Sequence, residues 1–110
     1  MRRSRTYSRQ TIDVAKVLGL EVAAGRRERR MKVAELAERA GTSYATVHRV
    51  EQGDPTVAVG TTFEIARLVG VRFFGADRRE LSGLVERGRD RLALLPARVR
   101  EPTRDVDDDF

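Results

Sequence analysis

From Arg9 to Arg29, apolar residues return at Ile12, Ala15, Leu18, Val22 and Gly25, in steps of three and four. That spacing puts them on one face of an amphipathic helix, which Ser8 can cap. Gly19 and Gly25 weaken this helix, each by about 1 kcal/mol relative to Ala. Val33 to Ala40 gives a second, short helix with Val33, Leu36, Ala37 and Ala40 inward, ended by Gly41 at a left-handed position. Ser43 caps a third over Tyr44 to Glu51, with Val47 and Val50 inward. Gln52, Gly53, Asp54 and Pro55 are turn chemistry. A fourth helix covers 60–69, carries Phe63, Ile65, Ala66 and Val69, and stops at Gly70. Val71, Phe73 and Phe74 are expected to plug the core. Asp77 and Glu80 have capping-box spacing and open a fifth helix over roughly 78–94, with an apolar stripe at Leu81, Leu84, Val85, Leu92 and Leu95. Pro96 stops it, and Ala97 to Arg100 can add one short strand. No other stretch alternates with period two, so the fold is all-α: a small five-helix bundle. No internal repeat is present.

Charge divides the chain further. The 110 residues carry 22 basic and 17 acidic side chains, a net of +5. Residues 1–53 hold 12 basic and 6 acidic groups, residues 54–100 hold 9 and 6, and residues 101–110 hold 1 and 5. Residues 1–8 read as a flexible basic arm, 9–74 as the main domain, and 75–100 as an added helix and strand. Residues 101–110 are too charged to bury and read as a disordered acidic tail. Of the basic residues 20 are Arg and 2 are Lys, and Arg gives phosphate and guanine forked contacts that Lys cannot. A basic body is the expected footprint of a polyanion partner.

Composition excludes several classes. Cysteine is absent and histidine occurs once, which removes disulfides, thiolate zinc sites and cysteine nucleophiles and leaves no imidazole metal site. There is no Gly-rich phosphate loop and no carboxylate pair held near a base, so an enzyme is not expected, nor a cofactor or metal. No run of about 18 apolar residues spans a membrane. Membrane-surface binding by the first helix fits poorly, because it has two Gly and no Trp or Phe. A cytoplasmic, nucleoid-associated location is expected.

The stretch Val33 to Gly53 is two helices of about eight residues around a Gly turn. Ala37 allows close crossing, and Val47 and Val50 anchor the second helix, leaving Tyr44, Ala45, His48 and Arg49 outward. This is the helix-turn-helix arrangement that lays its second helix in the DNA major groove. The bland alternative is a helical bundle whose turn merely contains Gly. Together with Ile65 to Val71, the pattern resembles the Cro/repressor-type helix-turn-helix regulators (XRE-like, with a lambda repressor-like fold) over roughly residues 16–71.

The resemblance implies roles. Ser43 opens the recognition helix and meets a phosphate. Tyr44 and Ala45 stand where base-reading side chains stand, and Arg49, one turn on, prefers guanine. Thr42 and Thr46 contact phosphate or a thymine methyl, and His48 faces solvent or lies near phosphate rather than binding a metal. Arg26 and Glu51 match an ion pair that braces the scaffold. The sequence departs from the family at the start of the second helix. Val33 replaces a phosphate-touching Gln, Lys32 replaces a Thr or Ser cap, and Arg30 stands where many members have Gly. Lys32 and Arg30 can restore phosphate contact by charge. Residues 75–110 look like those of HipB-like antitoxins, the partners of HipA-type kinase toxins. That implies a homodimer on a palindromic operator, repressing its own operon and binding the kinase; the alternative is a stand-alone XRE-family repressor. The stripe at Leu81, Leu84, Val85, Leu92 and Leu95 then seals a dimer or partner contact, or else packs back on Ile65 and Phe74. The tail ending in Phe110 meets a basic partner surface, or else is simply solvated.

Overall fold

The computed structural model describes residues 6–99. The expected arm residues Arg2, Arg3 and Arg5 and the acidic tail with Phe110 lie outside them. Among the described residues five helices follow in order: α1 (Arg9–Glu28), α2 (Val33–Ala40), α3 (Tyr44–Glu51), α4 (Val59–Leu68) and α5 (Arg78–Ala93). The chain divides into two compact units between Arg72 and Phe73.

In the first unit α1 packs against α3 and α4, and α2 packs against the same two helices. The center is apolar. Val22, Leu36, Val47, Ile65 and Val69 are fully buried, with Ala37, Val50 and Ala66 nearly so. Each large side chain there contributes about 1.5–3 kcal/mol of burial. The local signals set the helix ends. Ser8 Oγ accepts from the Thr11 amide at 3.2 Å, and Ser43 Oγ accepts from the Thr46 amide at 3.1 Å. Gly41 takes φ 70°, so the Thr42 amide can donate back to the Ala37 carbonyl at 2.9 Å.

Gly19 and Gly25 correct the reading of these residues as weak points. Both are buried in α1 at close crossings. A Cβ on Gly19 would run into the carbonyl oxygen of Val50 and stand 2.7 Å from that of Glu51. A Cβ on Gly25 would run into the Val69 carbonyl oxygen and lie 3.1 Å from Val69 Cβ. The missing methyl is what lets α1 touch the ends of α3 and α4.

The second unit begins with a short turn holding one isolated antiparallel bridge, Phe73 to Ala76. Asp77 and Glu80 form the expected capping box: Asp77 Oδ1 accepts from the Glu80 amide and Glu80 Oε1 from the Asp77 amide, both at 2.8 Å. Two expectations fail here. The aromatic plug is not one, since Phe74 is 87% exposed with φ 57° and Val71 and Phe73 are only half-buried. A left-handed turn at Phe74 directs its ring outward whatever its hydropathy. The short strand at Ala97–Arg100 does not form over 97–99, which are bends and coil, and Arg100 lies outside the described residues. A strand needs a ladder partner, and the described residues contain no sheet.

Candidate nucleic-acid interface

Helices α2 and α3 are eight residues each and are joined by Gly41, Thr42 and Ser43. Val47 and Val50 are buried, and the period of 3.6 therefore turns Tyr44, Ala45, His48 and Arg49 to solvent. Tyr44 is 58% exposed, a large aromatic on an open helix face. Ser43 is exposed, but its hydroxyl already caps α3 and shares a 2.9 Å hydrogen bond with Thr46 Oγ1. Thr42 and Thr46 are half-buried. Lys32 is the N-cap of α2 with no side-chain hydrogen bond there, since an ammonium has no lone pair to offer; it is exposed, and Val33 beside it is half-buried.

Arg26 and Glu51 meet. Arg26 Nε donates to Glu51 Oε2 at 2.6 Å and Nη2 to Oε1 at 3.0 Å, a bidentate pair from α1 to the last residue of α3. The side chains are 12% and 8% exposed. Arg26 Nη1 also donates to the Met31 carbonyl at 2.9 Å, so one guanidinium ties α1, the turn before α2, and α3. The hydrogen bonds it donates to Glu51 raise the Arg26 pKa above its ordinary value, against the cost of desolvation.

Arg49 is held in a way its sequence position did not announce. Nε donates to Asp54 Oδ2 and Nη2 to Thr56 Oγ1, each at 2.8 Å. Asp54 Oδ1 accepts from the Thr56 amide at 2.8 Å and from the Thr56 hydroxyl at 2.6 Å. Hydrogen bonds from Thr56 and Arg49 lower the Asp54 pKa to about 2. The sequence marks Asp54 only as part of a turn and does not single out Thr56. Their signal is the Asx pattern, an Asp that accepts from the amide two residues on, but nothing in the spacing points it at Arg49.

Of the α5 stripe, Leu81 is half-buried, Leu84, Val85, Leu92 and Leu95 are exposed, and no residue of α5 is buried. Among the described residues no group of three or more His, Cys, Asp or Glu is placed to hold a metal, and no helix is long and apolar enough to cross a membrane.

A protein-family model described as a helix-turn-helix domain matches residues 17–81, more than half of the chain. The chain belongs to that helix-turn-helix family. It is a DNA-binding regulator of the XRE-like kind. The match runs past the 16–71 of the sequence resemblance into the start of α5. No curated protein and no solved structure matches significantly.

Family context also explains Arg30. It has φ 54°, the left-handed conformation that favours the Gly many members carry there. Arg30→Gly is expected to raise stability by about 0.5–1 kcal/mol, read as a higher urea midpoint at unchanged m-value, and an unchanged or lower midpoint would show that the Arg side chain compensates.

Proposed function

We propose that this chain is a sequence-specific repressor that binds operator DNA as a homodimer and serves as the antitoxin of a type II toxin–antitoxin pair. The observation that carries the DNA reading is the face of α3: Tyr44, Ala45, His48 and Arg49 stand outward while Val47 and Val50 lock the helix to the core. Tyr44, Ala45 and Arg49 read base edges. Thr42, Ser43, Thr46, His48 and Lys32 line the phosphates, with Val33 at the start of α2 beside them. Two-fold symmetry requires a palindromic operator with half-sites about 34–36 Å apart, or a multiple. The exposed apolar residues Leu84, Val85 and Leu92 of α5 and Leu95 just beyond it, with half-buried Leu81, support a dimer or partner contact, because an apolar row left in water favours burial against another surface. The kinase partner rests on the HipB-like look of residues 75–110, and Phe110 belongs to that partner segment.

The test titrates the full chain with a duplex from its own upstream region. The affinity is expected to fall with salt, with a log–log slope of about −0.9 per phosphate contact, and Arg49→Ala is expected to cost about 1–3 kcal/mol at one base position. Equal affinity for operator and scrambled duplex would overturn sequence-specific repression. Capture from native lysate separates the finer readings. A HipA-like kinase bound to the chain supports the antitoxin, and tight operator binding with no kinase recovered leaves a stand-alone regulator.

A further inference from the structure

We propose that Asp54 and Thr56 are specificity-determining residues: they grip one edge of the Arg49 guanidinium and aim its other edge at guanine. This rests on the DNA-binding reading of α3. A guanidinium has five N–H donors in one plane. Nε–H and one Nη2–H lie along its side edge, and those two go to Asp54 Oδ2 and Thr56 Oγ1. Among the described residues, the remaining three donors of Arg49 make no hydrogen bond or ion pair. They include the pair at the end of the group, one on Nη1 and one on Nη2, whose spacing matches guanine O6 and N7.

The grip is closed on itself. The Thr56 hydroxyl donates its one proton to Asp54 Oδ1 and so offers a lone pair to Arg49. The Asp54 amide donates to the Arg49 carbonyl at 3.0 Å, and the Thr56 amide holds Asp54 Oδ1 at 2.8 Å. Pro55 between them fixes its own φ. The ring therefore links the loop backbone to the end of α3, and it stays charged at any neutral pH because the Asp54 pKa lies near 2. Arg49 nevertheless keeps a side chain 46% exposed, open to a ligand on its free side. An arginine held this way has given up its rotamer freedom before DNA arrives, and it can meet a base only in the orientation the ring permits. The carboxylate also cancels much of its charge, so Arg49 adds little to sequence-independent attraction to phosphate.

The test is selection by the full chain from a pool of randomised duplexes, followed by sequencing and by thermal melting of each variant. The wild-type chain is expected to enrich G at one position of each half-site, and Arg49→Ala to lose that position alone. Asp54→Ala and Thr56→Val are each expected to weaken the same G preference by roughly tenfold, leaving the other positions unchanged. Asp54→Ala is further expected to raise affinity for unselected duplex, which a merely structural role would not do. Thr56→Val changes an exposed side chain and keeps the backbone bond, so it serves where Asp54→Ala melts early. An unchanged or stronger G preference in both variants would overturn the proposal, as would an Arg49→Ala profile identical to wild type. A wild-type chain that selects no sequence at all would overturn the DNA reading, and this proposal with it.

Discussion

Arg26→Ala is expected to destabilise the helix-turn-helix by about 3–5 kcal/mol, the usual cost of breaking a buried ion pair from one side. The reason is what remains. The Glu51 side chain, 8% exposed, loses both of its hydrogen bonds from Arg26 and is left without that partner. The Met31 carbonyl loses the Nη1 donor that holds the turn before α2. For a domain of this size the melting temperature should fall by more than about 10 °C, followed by circular dichroism. DNA binding should fall with it, because Glu51 is the last residue of α3 and its position sets the angle of that helix. Glu51→Ala should cost a similar amount. Replacing both partners with apolar residues of similar size should recover much of the loss, since the desolvation of two charges no longer has to be offset. Unchanged melting with a simple salt-dependent loss of affinity would show instead that Arg26 is only a phosphate contact.

Gly25→Ala is expected to reverse the sign that helix propensity gives it. In an open helix the change gains about 1 kcal/mol. In α1 the new methyl would collide with the Val69 carbonyl oxygen and press on Val69 Cγ2 at 3.2 Å. The end of α4 is backbone there and cannot rotate aside, so overpacking should outweigh the gain and leave a net loss of about 1–3 kcal/mol. Gly19→Ala should behave alike against Val50 and Glu51. Gly88→Ala, in α5 with nothing within 4 Å of its Cβ, is the control and should stabilise its helix. Urea unfolding of the three variants decides the matter: equal stabilisation by all of them would mean that α1 can shift away from α3 and α4 at little cost.

The same division runs through the whole chain. Helix ends were legible because caps and stops act within a few residues. Ser8, Gly41, Ser43 and the Asp77–Glu80 box each do in the fold what their chemistry does locally. The inward faces of α2 and α3 were legible because 3.6-residue periodicity is also local, and it left Tyr44, Ala45, His48 and Arg49 outside. Reading by hydropathy failed at Phe74, where backbone conformation rather than apolar character sets the direction of the ring. It also failed at residues 97–99, where an extended pattern has no strand among the described residues to pair with.

By itself, then, the sequence determined the five helices of the described residues, the side-chain caps of α1, α3 and α5 and the outward face of α3, because each depends on residues one or two turns apart. Only the tertiary structure decided what Gly19 and Gly25 are for and what Arg49 is tied to. Those depend on carbonyls and carboxylates brought close by the crossing of helices and by the path of the loop after α3, and no spacing along the chain records such a distance.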